Sequence, residues 1–85
     1  MAKVKVKTPT RPIHVIASEI RKDWGANVNF GAVPYLGAMR SLDSVNDPYG
    51  QDSGKSIIMY FLCNANTWRG EVARRVKKEL NAMIK

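Results

Sequence analysis

Cysteine and histidine occur once each in this 85-residue chain, as Cys63 and His14. A lone cysteine excludes an internal disulfide. One cysteine and one histidine also fall short of the four Cys/His ligands of a usual zinc site. Long apolar runs are missing too: the longest, Ile57 to Cys63, has seven residues, against about twenty for a membrane-spanning helix. No apolar segment follows the charged start Met1–Lys7, so a secretory leader is not expected. A soluble protein of the reducing cytoplasm is the expectation, with no membrane role. Acids are scarce, seven against 14 Lys and Arg, for a net charge of +7.

The charge that is present is uneven. Lys3, Lys5, Lys7 and Arg11 face no acid within residues 1–12, and Arg69, Arg74, Arg75, Lys77, Lys78 and Lys85 outnumber Glu71 and Glu79 over residues 68–85. The middle of the chain has four bases and five acids. Two basic ends on a near-neutral body suit an anionic partner, with a plain solubility charge as the alternative.

Residues 1–11 read as a flexible basic arm, since the alternation Lys3-Val4-Lys5-Val6-Lys7 is too short for a lone strand and Pro9 and Pro12 close it off. Residues 12–85 read as one all-α domain of four helices. The first has Pro12 at or near its first position and Ile13, Ile16, Ala17, Ile20 and Trp24 on a stripe about 100° wide. Gly25 ends it. A shorter helix starts near Pro34, carries Tyr35, Met39 and Leu42 on one side, and runs to Leu42 or Ser44. Asn46-Asp-Pro-Tyr-Gly50 is a turn cluster. Asp52 or Ser53 then caps a third helix through Cys63. Periodicity alone cannot separate helix from strand over residues 57–63, because that run is apolar on every face; its helical neighbours favour helix. The fourth helix spans Trp68 to Ile84, with Trp68, Val72, Ala73, Val76, Leu80, Met83 and Ile84 on an arc of about 160°. Glu71–Arg75 and Arg75–Glu79 are i,i+4 pairs on it.

Little here carries catalytic chemistry. Gly50-Gln-Asp-Ser-Gly54-Lys55-Ser56 imitates a phosphate-binding loop, but it has three residues between its glycines where the wrap around a phosphate needs four. Cys63 sits in the most apolar run, where a thiol is expected to be buried and inert. His14 has no partners at triad spacing. Asp43, Asp47 and Asp52 suit turns and caps better than a calcium loop. No enzyme activity, cofactor or metal is expected.

The third and fourth helices could form a helix-turn-helix, with Arg69 and Asn66 near the start of the reading helix. Its first turns hold Trp68, Gly70 and Val72, so contacts to phosphates are favoured over sequence reading. The candidate nucleic-acid contacts are Arg69, Arg74, Arg75, Lys77 and Lys78, with Lys3, Lys5 and Lys7 lying along a groove. Trp24 and Trp68 are expected in the core. The apolar third helix is also compatible with a homodimer.

Residues 13–84 resemble a family of short proteins from bacteriophages and mobile elements. The resemblance rests on Ile16-Ala-Ser-Glu-Ile20 with Asp23-Trp24, Phe30-Gly-Ala-Val-Pro-Tyr-Leu36, Asp47-Pro-Tyr-Gly-Gln-Asp-Ser53, and Tyr60-Phe-Leu62 with Asn64-Ala65 leading to Thr67-Trp-Arg-Gly-Glu71. It implies a setting, the cytoplasm of an infected bacterial cell, where the partner is nucleic acid or a host protein, a defence protein included. Arg69, inside the last string, is expected either to pair internally with Asp23 or Asp52 or to reach past the helix start.

Overall fold

The computed structural model describes residues 11–85. Among them are four α-helices: α1 (Ile13–Trp24), α2 (Val33–Met39), α3 (Gly54–Cys63) and α4 (Glu71–Ile84). A two-stranded ribbon, β1 (Pro48–Tyr49) with β2 (Asp52–Ser53), interrupts the all-α pattern. The helices pack in a ring, α1 against α2 and α4, and α3 against α2 and α4. No helix of the described residues is long and apolar enough to cross a membrane. The basic arm lies, apart from Arg11, outside the described residues.

The start of α1 depends on another part of the chain. Pro12 offers no capping side chain. The exposed first-turn amides of Ile13 and His14 donate instead to the carbonyls of Asp43 (3.0 Å) and Leu42 (2.8 Å), which satisfies groups a helix leaves unpaired. All five stripe residues of α1 are buried, and Gly25 closes the helix at φ 62°. A 3-10 turn at Phe30–Ala32 leads straight into α2. That helix stops at Met39, earlier than expected, because Arg40, Ser41 and Leu42 donate to the third residue back and tighten the chain. Met39 and Leu42 are buried, while Tyr35 only packs at the edge of the core.

The turn cluster is organised by Asp47, whose carboxylate accepts from the amides of Asp43 (2.9 Å) and Ser44 (3.2 Å). It then folds back as the ribbon, with Gly50 at φ 61° in the bend. Residues 57–63 are helical. Ser53 caps α3 through Ser56 N, and Ile57, Ile58 and Phe61 face inward. Cys63 corrects the expectation of burial: it is exposed, as are Met59 and Tyr60. An unbroken apolar run hides which face points inward, and α3 has an outer one.

The fourth helix begins at Glu71, not at Trp68. Gly70 stands at φ 110°, ψ −176°, a conformation that excludes a helical continuation and strains any residue with a Cβ. Trp68 is buried all the same. It stacks on Trp24 with centroids 5.7 Å apart, and Phe61 meets both rings edge-on at 6.2 and 6.4 Å. Ala73, Val76 and Leu80 complete the core from α4.

The i,i+4 pairs expected on α4 do not form. Glu79 takes Arg11 in a two-pronged bond (2.9 and 2.7 Å), and Arg75 reaches across to Glu19 on α1. Glu19 Oε1 also lies 2.9 Å from Arg11 Nη2, an ion pair off the line of the N–H groups. Arg11 belongs to the body, clasping α1 to α4.

Candidate nucleic-acid interface

The ion pairs divide the cations into two groups. Arg75, a sequence-based candidate, is engaged with Glu19. The hydrogen bond from Arg75 holds the Glu19 carboxyl below the usual carboxylate range, with Arg11 adding to the effect. Arg69, Arg74 and Lys78 are exposed, and no carboxylate of the described residues lies within 4 Å of them. The internal pair expected between Arg69 and Asp23 or Asp52 is absent. Asp23 accepts the indole N–H of Trp68 at 2.8 Å, and Asp52 sits on the ribbon. Arg69 is not held on a face of α4, because residue 69 precedes the helix.

Lys77 stands between the two groups. Its Nζ donates to the Trp68 carbonyl at 2.7 Å and lies 5.9 Å from the centre of the Trp68 ring, within cation–π range. Burial pushes its amine below the usual lysine range, and the nearby charge of Arg69 pushes it further.

Asn66, Trp68, Arg69, Gly70, Arg74 and Lys77 line a cleft of about 310 Å³ at the start of α4. Three cations therefore converge where the first-turn amides of a helix favour negative charge. The bend at Gly70 makes the cleft, since it lets Arg69 leave the helix axis while Arg74 and Lys77 remain on it. Beyond the cleft, Arg74, Lys78 and Lys85 fall within about 40° of one another at 100° per residue and form a stripe roughly 17 Å long. Glu71, exposed in the first turn, is the acid on this side. Lys3, Lys5 and Lys7 lie outside the described residues.

The phosphate-loop imitation at Gly50–Ser56 is closed to ligands. The amides of Gly54 and Lys55 donate to the carbonyls of Asp47 (2.7 Å) and Val45 (2.9 Å), and Ser56 N goes to the Ser53 hydroxyl. A Cβ on Gly54 would stand 2.6 Å from the Ser44 carbonyl oxygen, so backbone already fills the space a phosphate would need.

No family model, no curated protein and no solved structure matches the chain. The site's chemistry therefore rests on its geometry. Of the cations expected from the sequence, the structure brings Arg69, Arg74 and Lys77 to one cleft and leaves Lys78 exposed beyond it; sequence reasoning missed that Arg75 is neutralised and that Lys77 is anchored. Both depend on contacts that are remote in sequence or on a helix start displaced by three residues.

Proposed function

We propose that this is a non-enzymatic protein that holds the phosphate backbone of nucleic acid along the Arg69, Arg74, Lys78 and Lys85 side of α4. The observation that carries the reading is the cleft in which Arg69, Arg74 and Lys77 converge with no acidic partner among the described residues. Arg11 and Arg75, by contrast, are neutralised by Glu19 and Glu79. Four free cations correspond to a slope of about −3.6 in log K against log salt on duplex DNA, and any contacts from Lys3, Lys5 and Lys7 steepen it. Titrating the full chain against labelled duplex and single-stranded DNA at several salt concentrations tests this. Binding that does not change with salt, or no binding at 50 mM salt, refutes it.

A setting in the cytoplasm of an infected bacterial cell is part of the proposal and rests on the resemblance of short sequence strings alone. A second reading, a module that binds a host protein, draws on a different surface. Phe30 is 90% exposed on its 3-10 turn, and Met59 and Tyr60 are about half exposed on the outer face of α3, with Tyr60 against Tyr35. Aromatic side chains held in solvent are typical anchors of protein interfaces. If this reading holds, Phe30→Ala abolishes partner binding and charge reversal on α4 does not.

A further inference from the structure

A second cleft adjoins the first and shares two of its residues. The end of α1 and the loop after it are tied to the loop after α3 at two points, Asp23 to the Trp68 indole (2.8 Å) and Asn29 to the Asn64 carbonyl (3.0 Å). Between these segments lies a cleft of about 360 Å³ lined by Asp23, Trp24, Asn27, Thr67, Trp68 and Arg69. Its chemistry differs from that of its neighbour. Asp23 uses Oδ2 for the indole and keeps Oδ1 as an acceptor, and the side chains of Asn27 and Thr67 make no hydrogen bond among the described residues. The buried, mutually stacked pair Trp24 and Trp68 forms its floor.

A carboxylate repels phosphate, so this cleft does not extend the phosphate grip. An exposed acceptor, amide and hydroxyl around one cleft match the edge of a heterocyclic base, and a carboxylate accepts from the exocyclic amino group of cytosine. Arg69 belongs to both clefts, where one nucleotide could place its phosphate on one side of the guanidinium and its base on the other. In a duplex the Watson–Crick edge is paired and the faces are stacked, so a pocket that receives the whole base favours a single strand.

We propose that the Asp23–Asn27–Thr67 cleft receives one unstacked base of a single strand whose phosphate is held by Arg69 and Arg74, and that Asp23 selects a base carrying an amino group. The proposal rests on the phosphate-binding reading and adds to it where specificity lies. The test is fluorescence anisotropy of the full chain with ten-residue oligo-dC and oligo-dT, which present equal numbers of phosphates, at two salt concentrations. Oligo-dC is expected to bind about fivefold tighter, the lower end for one base contact. Asp23→Asn retains an acceptor for the Trp68 indole, and it should bring the two affinities together while the salt slope stays unchanged. Equal wild-type affinities with a normal salt slope overturn the base pocket and leave the phosphate reading standing. A preference for oligo-dC that survives Asp23→Asn overturns the assignment to Asp23. Absence of salt-dependent binding to either strand overturns both readings together.

Discussion

Arg74 and Arg75 are sequence neighbours of the same type, yet the structure assigns them opposite roles, and neutralising each in turn separates them. Arg75 is engaged with Glu19, so it has little net charge to offer a phosphate; Arg74 has no carboxylate within 4 Å among the described residues. Each free cation that replaces a condensed counterion contributes about 0.9 to the salt slope. The double variant Arg74→Gln/Lys78→Gln should therefore lower the slope by about 1.8. Between 50 and 200 mM salt, a fourfold change, the wild type then loses about 12-fold more affinity than the variant. Arg75→Gln should leave the slope within error of the wild type. Its effect falls on stability and stays below about 1 kcal/mol, because the Arg75 side chain is 55% exposed and solvent screens the pair. Anisotropy titrations on duplex DNA at four salt concentrations, with thermal melts in parallel, measure both quantities. Equal slope changes for Arg75→Gln and for a single Arg74→Gln would refute the division into paired and free cations.

Three further outcomes follow from particular contacts. Gly70→Ala should cost about 1–3 kcal/mol in urea unfolding, since φ 110° with ψ −176° strains an L-residue; no loss would mean that the α4 start lies elsewhere. Glu19 has its carboxyl pKa depressed by Arg75 and Arg11 from the ordinary 4.5. The stability it contributes is thus present above pH 4.5 and disappears as pH falls through the lower folded-state value. The stability gap between wild type and Glu19→Gln should close on acidification, and a gap that widens contradicts the pairing. Cys63, on the outer face of α3, should react with a thiol reagent in the native protein at nearly the rate seen in denaturant; strong native protection would place it inside.

The helices were legible because their inward stripes recur at helical spacing: Ile13, Ile16, Ile20 and Trp24 in α1, and Val76 and Leu80 in α4, are buried as the pattern requires. Periodicity failed where it carries no information. The apolar run 57–63 concealed the outer face on which Cys63 lies. Gly70 could be read as a helix residue because composition does not reveal φ. The ribbon at 48–53 has two residues per strand, too few to establish an alternation. The site was legible as a set of charges and illegible as a geometry. Arg11 and Glu79 are 68 positions apart, and Arg75 and Glu19 are 56 apart. No local pattern distinguishes such partners from the i,i+4 neighbours that were expected.

The stretch from Leu42 to Asp47 supplies carbonyls to the opening turns of two helices: Leu42 and Asp43 receive the amides of His14 and Ile13, while Val45 and Asp47 receive those of Lys55 and Gly54. The first two amides of α1 and of α3 are all satisfied by the same six residues. This connection therefore acts as a keystone, because loosening it frees four amides on two helices in one event. Helices that look independent in the sequence are joined there into a single cooperative unit.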